Sequence, residues 1–316
     1  MSLSSDNFTA LIHLRNQARK WKNISFLMII AIALLALRVL LGTGEDGVNK
    51  NIDAGEYIAS INIEGVIIDD DYRTEMLTKI AEQKNIKALI VNINSPGGGI
   101  VGSEILYENL RTIAAVKPIV VVMGSLAASG GYMASLAADH IIARNGTLTG
   151  SIGVIMQSSE FTDLASKLGV KFITYKSSIL KGAPSPFEKT NPQVDRIINE
   201  SIKDSYQFFS DLVKQRRANK LDKNNLSNII DGRIFTGRQA LKSGLVDEIG
   251  GKNEALKYLN AQKKIDIAKF PVKKIDLEKP DRAILSKLLG EETMAKVIEK
   301  ITGFNAQNKQ LMSIWN

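Results

Sequence analysis

The alternation of short apolar runs with amphipathic segments constrains the fold of this chain more than any other feature. The runs ALIVNI (88–93) and PIVVVMG (118–124) are typical of parallel strands buried on both faces. Between them, VGSEILYENLRTIAA (101–115) has helical spacing, and a further helical segment, TEMLTKIAEQ, precedes the first run. The pattern predicts an α/β fold with a largely parallel sheet of repeated βαβ units.

The same alternation continues on both sides of these runs. YIASINI (57–63) reads as a strand, and HIIAR, SIGVIM and KFITY are expected to follow as strands, with DLASKLG as a helix between the last two. A long helix is predicted at about 191–220, and TGRQALKSG as a short helix that ends at Gly244. The sequence shows no long internal repeat.

An apolar segment near the N-terminus predicts a membrane anchor. ISFLMIIAIALLALRVLL (24–41) contains one charge, Arg38, and approaches the length of about 20 residues that a bilayer requires. Basic residues precede it, against a single acid, Asp6; they are Arg15, Arg19, Lys20 and Lys22. By the positive-inside rule the N-terminus stays in the cytoplasm and the rest lies outside. We expect an uncleaved anchor rather than a cleaved signal peptide or a buried core helix.

The predicted organisation follows from these features. It comprises a cytoplasmic leader (1–23), a transmembrane anchor (24–41), a linker (42–54), a folded α/β domain (55–265) and a helical C-terminal tail (266–316). The chain has no cysteine, which excludes disulfides and thiolate chemistry. Its net charge of +8 is spread rather than clustered, and no nucleic-acid motif accompanies it, so we expect no nucleic-acid partner.

A glycine-rich stretch, NSPGGGIVGSE, imitates a cofactor motif. Gly97, Gly99 and Gly102 satisfy G-x-G-x-x-G, but no acid for a ribose follows at the next strand end. Ser103 also stands where a P-loop would need its lysine. Two interpretations remain about even: a plain strand-to-helix turn, or a turn whose backbone N–H groups hold an anion, including an oxyanion.

The stretch GSLAASGGYMAS (124–135) raises the possibility of a serine nucleophile. The chain has only two histidines: His13 in the predicted leader, and His140, expected at the start of a strand. Neither suits a Ser-His-Asp triad. A lysine can serve as the base when an apolar pocket lowers its pKa, and YKSSILKGAPSPF (175–187) offers both Lys176 and Lys181. Composition alone does not choose between them.

Four segments together resemble signal peptide peptidase A, a membrane-anchored bacterial serine peptidase family of the Clp/crotonase superfamily. They are NINSPGGG (92–99), GSLAASGGYMAS with TLTGSIGVIM (147–156), YKSSILKGAPSPF, and GRIFTGRQALKSGLVDEIGG (232–251). The resemblance runs from about residue 57 to 262 and is to the short form with one catalytic domain. It implies a Clp/crotonase-like fold, so that 55–265 would be a peptidase domain.

The resemblance also implies roles for particular residues. Ser129 would be the nucleophile and Lys181 the general base and acid. The oxyanion hole would use the N–H of Gly130 with that of Gly98 or Gly97, and Ser151 would orient the lysine. No metal or cofactor is required.

The substrates and partners implied are cleaved signal peptides, other unfolded peptides, the membrane and further copies of the chain in a homo-oligomeric ring. Nucleophile and lysine would then come from one chain or from adjacent subunits. The expected location is the bacterial inner membrane, with the catalytic domain on the periplasmic side. Two alternatives stay open: a crotonase-type acyl-CoA enzyme and a non-catalytic membrane scaffold.

Overall fold

The computed structural model describes residues 55–278 and, nearer the N-terminus, residues 21–22, 25–26 and 28–30. The chain divides into two compact units, residues 1–54 and 55–316. Among the described residues, no helix is long and apolar enough to cross a membrane. The predicted leader, anchor and linker lie almost wholly outside the described residues, as does the tail after residue 278, so these segments stay predictions.

An eight-stranded sheet forms the centre of the second unit. Its main path runs β6-β5-β3-β2-β1-β8, while β4 pairs with β3 and with β7. Every pairing is parallel except that of β5 with β6, which confirms the predicted α/β class and its parallel sheet. The strands are β1 (Tyr57–Ile67), β2 (Ile86–Gly98), β3 (Ile119–Ala128), β4 (His140–Ala143), β5 (Leu148–Gly150), β6 (Ile234–Thr236), β7 (Glu248–Ile249) and β8 (Val272–Lys274).

Helices connect the strands in the first half of the sheet, and further helices lie between the later strands in the sequence. They are α1 (Asp71–Glu82), α2 (Ile100–Ala114), α3 (Gly130–Ser135), α4 (Thr162–Lys167), α5 (Pro192–Arg217), α6 (Leu226–Ile229), α7 (Gly237–Ser243) and α8 (Lys252–Lys263), with a 3₁₀ turn at Lys223–Asn225. The capping residues agree with the sequence signals: Asp70 caps α1, Asn191 caps α5, and Gly244 ends α7 in the left-handed conformation.

The core lies on both faces of the central strands. On β2, Ala88 and Ile90 pack in one cluster with Ala255 and Leu259 of α8. The intervening side chains of the same strand are also fully buried; they are Leu89, Val91 and Ile93. Burial on both faces explains why this strand is an unbroken apolar run rather than an alternating one.

Two predicted strands, SIGVIM and KFITY, are wrong. Residues 151–161 and 170–175 contain no helix or strand. Most of their apolar side chains face solvent instead, with Ile155 82% and Ile173 66% exposed, although Ile152 is buried. The sequence has strand-like composition there, but a strand also needs a neighbour for its N–H and C=O groups, and β5 already ends at Gly150.

The sheet also extends further along the chain than predicted. Strand β8 pairs with β1 over residues 272–274, which the sequence analysis assigned to a helical tail beginning at 266. Leu277, beyond this strand, is buried as well. The described part of the tail therefore belongs to the folded unit.

Candidate active site

Ser129 lies at the junction between β3 and α3, in a strained backbone conformation. Its φ is 52° and its ψ −119°, a region that residues other than glycine rarely adopt. Its N–H donates to the carbonyl of Gly150 at 2.9 Å, and its own carbonyl accepts from the N–H of Met133 at 2.9 Å. Hydrogen bonds from the N–H and to the carbonyl of Ser129 hold the turn in this conformation. Backbone strain that is held in this way is typical of functional sites.

The far end of α3 is anchored by two arginines from neighbouring helices. Arg216 of α5 donates to the carbonyl of Leu136 at 2.9 Å, and Arg111 of α2 to that of Ala137 at 3.0 Å. Within the helix, the hydroxyl of Tyr132 donates to the carbonyl of Leu245 at 2.9 Å. Because the helix is fixed beyond its C-terminus, the position of Ser129 at its N-terminus is fixed too.

The predicted oxyanion turn packs directly against this N-terminus. Gly97 has a φ of 101°, and a Cβ built on it would lie 2.7 Å from the nitrogen of Gly130 and 2.9 Å from Cβ of Ser129. Only a glycine fits so closely between two backbones in this conformation. The glycine-rich end of β2 and the turn that follows β3 therefore meet, as the resemblance implied.

The hydrogen bonds of this turn distinguish its amides. The N–H of Gly97 donates to Oγ of Ser95 at 3.0 Å, and the N–H of Gly99 donates to the carbonyl of Ile67 at 3.0 Å. The nitrogen of Gly98, between them, lies 3.3 Å from where a Cβ on Gly130 would sit. Of the two alternatives left open by the sequence, Gly98 is therefore better placed than Gly97 to donate beside Gly130. Ser95 was not predicted as part of the site, although a serine two residues before a turn glycine is a recognised turn signal.

Ser151 is brought next to Ser129 by strand pairing. Strands β3 and β5 pair in parallel with Ala128 opposite Gly150, so the two serines are the next residues on the two chains. Ser151 also has a positive φ, 50°, and its N–H donates to the carbonyl of Arg233 at 2.8 Å. Two strained serines thus follow adjacent strand ends.

The two candidate lysines differ in their surroundings. Lys176 forms an ion pair with Glu188, and the hydrogen bond from this lysine lowers the pKa of Glu188. Lys181 is exposed. Among the described residues, including Ser129, none forms a hydrogen bond or ion pair with its side chain. The single chain therefore does not join Lys181 to Ser129.

Lys181 belongs to a segment with little core of its own, residues 155–187, which we call the Lys181 arm. Local contacts close it: the N–H of Phe161 donates to the carbonyl of Pro186 at 2.8 Å, and the rings of Phe172 and Phe187 lie 4.3 Å apart. Its large apolar side chains are nevertheless each more than a third exposed; they are Ile155, Met156, Phe161, Leu164, Leu168, Val170, Phe172, Ile173, Tyr175, Ile179, Leu180 and Phe187.

His140 begins β4, as predicted, and belongs to a structural network. Its Nε2 lies 3.0 Å from Oε2 of Glu248, and its ring stacks on Tyr258 with centroids 4.1 Å apart. Nearby, Asp247, whose side chain is 7% exposed, accepts from the N–H of Ile141 at 2.8 Å. These contacts account for the histidine without a role as general base. Within the described part of the chain, no three acidic or histidine side chains converge as a metal site.

A strained serine before a short buried helix, with glycine amides of a second turn beside it, is the arrangement of a serine hydrolase on a parallel α/β fold. The family profile described as Peptidase family S49 matches residues 111–266. The chain belongs to peptidase family S49. This confirms the resemblance on which the sequence analysis relied and the predicted class, a serine peptidase.

Curated relatives agree with this assignment. The chain is 36% identical over 222 residues to a protein of Enterococcus faecium that bears the name signal peptide peptidase SppA, covering 66% of this chain and 64% of that protein. It is 33% identical over 248 residues to a Methanocaldococcus jannaschii protein named as a protease, covering 74% and 79%. It is 35% identical to Protease 4 of Haemophilus influenzae over 248 residues, but these are 70% of this chain and only 40% of that protein.

Proposed function

We propose that this protein is a membrane-anchored serine endopeptidase that degrades signal peptides left after cleavage, by a Ser-Lys acyl-enzyme mechanism. The observation that carries the proposal is the strained Ser129 turn, packed against the glycine turn whose Gly98 amide lies beside Gly130. The names of the relatives support the substrate class, and the apolar segment 24–41 supports the anchor. We place the protein in the bacterial inner membrane, with the peptidase domain outside.

In the first half of the reaction, neutral Lys181 accepts the proton of the Ser129 hydroxyl while Oγ attacks the peptide carbonyl carbon. The oxyanion is stabilised by the N–H groups of Gly130 and Gly98. The bond from carbon to nitrogen then breaks, and the protonated lysine gives its proton to the departing amine. An acyl ester on Ser129 remains.

In the second half, a water molecule gives a proton to Lys181 and attacks the ester carbonyl. The tetrahedral intermediate uses the same two amides and collapses to release the acid, and the lysine returns the proton to Oγ of Ser129. Ser151, next to Ser129 at the end of the neighbouring strand, is placed to hydrogen-bond the lysine and orient it. Each step uses only residues of this protein and water.

We further propose that the working enzyme is a homo-oligomer in which the Lys181 arm packs against another copy. A lysine that acts as a base works in a site from which water is excluded, whereas Lys181 of the single chain is exposed. Covering the arm would bury its apolar side chains and remove water from Lys181 together. Exposed apolar side chains that cluster in one segment often mark a protein–protein interface.

Covalent labelling of the full-length protein in detergent tests the dyad. A fluorophosphonate should label the wild type but neither Ser129→Ala nor Lys181→Ala. Ser125→Ala and Lys176→Arg serve as controls, because Ser125 is exposed on β3 and an arginine can keep the ion pair of Lys176 with Glu188. Cleavage of a signal peptide that persists in both dyad variants would refute the mechanism.

Mixing the two inactive variants tests the assembly. If Ser129 and Lys181 come from adjacent subunits, Ser129→Ala and Lys181→Ala should restore part of the activity when they are co-assembled, because some sites then receive both residues. No recovery in a verified mixed oligomer would show that both residues come from one chain.

The same variants address the alternatives. The family assignment favours the peptidase over an acyl-CoA enzyme. A non-catalytic scaffold would rescue a deletion phenotype equally well with Ser129→Ala, whereas a peptidase would not.

A further inference from the structure

The end of the glycine-rich motif, Gly102 and Ser103, has no part in the mechanism above. Ser103 lies in the first turn of α2 and is 1% exposed. Its hydroxyl donates to the carbonyl of Gly99 at 2.9 Å, and the same carbonyl accepts the N–H of Ser103 at 3.0 Å. The hydroxyl therefore ties the helix to the last residue of the glycine turn.

Ser103 also contacts the other oxyanion donor. A Cβ built on Gly130 would lie 2.0 Å from Oγ of Ser103 and 2.9 Å from its Cβ. The same point is 3.3 Å from the nitrogen of Gly98. The Ser103 hydroxyl and the Gly98 amide thus both lie close to the same side of Gly130. The serine side chain stands between helix α2 and the start of α3.

On its opposite side, α2 is packed so closely that it cannot move away from Gly130. A Cβ on Gly102 would lie 2.6 Å from the carbonyl carbon of Ile68, and one on Gly98 would lie 1.8 Å from the carbonyl oxygen of Ile67. The turn and the helix that follows it therefore rest directly on the backbone that continues β1. Between that backbone and Gly130, the side chain of Ser103 acts as a spacer of fixed size.

We propose that Ser103 is a positioning residue that sets the distance and direction between the Gly98 and Gly130 amides of the oxyanion hole. The inference rests on the proposed role of Ser129 as nucleophile. Oxyanion donors act at about 2.7–3.1 Å from the developing charge, so displacements of a fraction of an ångström weaken them in the transition state. The substrate's ground state depends on them less, and the general base is not involved.

The test compares Ser103→Ala with the wild type on a peptide substrate, using full-length protein in detergent. We expect kcat to fall by about tenfold, with KM changed by less than about twofold. Fluorophosphonate labelling should slow by a similar factor. The pH dependence of kcat should keep its shape, because the groups that titrate are untouched.

Ser210→Ala is the matched control. Ser210 is equally buried, at 1% exposed, and its hydroxyl donates within α5 to the carbonyl of Gln207 at 3.0 Å. The Ser210→Ala variant loses a comparable hydrogen bond in a helix that lies outside the oxyanion turns. Its kcat should therefore stay at the wild-type value. An equal loss of kcat in both variants would show a general effect of stability and overturn the proposal.

Wild-type kcat in folded Ser103→Ala would also overturn it. If that variant does not fold, Ser103→Cys places a larger, weakly donating sulfur against Gly130 and should still lower kcat. Wild-type turnover of Ser103→Cys would then be the contrary result. Activity that survives in Ser129→Ala refutes the proposed function, whereas an inactive Ser129→Ala with a fully active Ser103→Ala refutes only the positioning role.

Discussion

Replacing Gly97 by alanine should impair catalysis far more than folding. The methyl group would lie 2.7 Å from the nitrogen of Gly130, 2.9 Å from Cβ of Ser129 and 3.0 Å from the carbonyl oxygen of Ala128. None of these atoms belongs to a flexible side-chain end. To reach an ordinary contact of 3.4 Å, the two turns would have to separate by roughly 0.7 Å, in a site where 1 Å of misplacement costs about 100-fold in rate.

The backbone strain of the substitution is a separate effect. Gly97 has a φ of 101°, and an alanine there costs about 1–2 kcal/mol of stability. Gly55→Ala isolates this effect, because Gly55 also has a positive φ, 72°, but no atom lies within 4 Å of the added methyl. We expect both variants to be modestly less stable and only Gly97→Ala to lose activity.

The assay measures kcat and KM on a peptide substrate beside thermal unfolding of both variants. The expected result is a kcat about 100-fold lower for Gly97→Ala, at a temperature where it is still folded. If folded Gly97→Ala turns over substrate at a rate within about twofold of Gly55→Ala, the close contact between the two turns does not matter for catalysis, and its proposed role is refuted.

Two further predictions concern stability. Burial alone raises the pKa of Asp247, but hydrogen bonds and charge from Arg217 lower the pKa overall. The ionised carboxylate therefore stabilises the fold above the unfolded-state pKa of about 4. This stabilisation is lost as the pH falls through the lower pKa of the folded state. Asp247→Asn should therefore destabilise by about 3 kcal/mol at pH 7 and by less near pH 3 in urea unfolding; an equal loss at both would contradict this. Lys117 donates to the carbonyls of Ile80 and Gln83 at 2.7 and 2.6 Å, at the end of α1. Lys117→Met should lower the free energy of unfolding by about 1–2 kcal/mol, and an unchanged value would show that these bonds contribute nothing net.

Much of the first half of the fold could be predicted because its signals are local. The buried runs that became β2 and β3 and the helix between them follow from apolar periodicity alone. The same reasoning failed for residues 151–156 and 171–175, which have strand-like composition but pair with no strand within residues 55–278. Periodicity indicates which side chains could be buried. Strand pairing also requires a neighbouring strand, whose position depends on the rest of the fold.

Residue identities and spacing narrowed the class of chemistry. Neither histidine has a suitable position, so a serine nucleophile would need another base, for which a lysine was the candidate. The family resemblance then selected Ser129 and Lys181. These conclusions depend on residue identity and order, which the sequence states directly.

The way in which the turns meet follows from tertiary packing alone. Three features of the site arise where separate segments are packed within van der Waals distance. They are the positive φ of Ser129, the hydrogen bond from the Gly97 N–H to Ser95 and the contact of Ser103 with Gly130. Such contacts are set by the register of β1, β2, β3 and β5 and by the seating of α2 and α3 on those strands. No local pattern encodes a distance between two turns, because that distance is the sum of all the packing that lies between them.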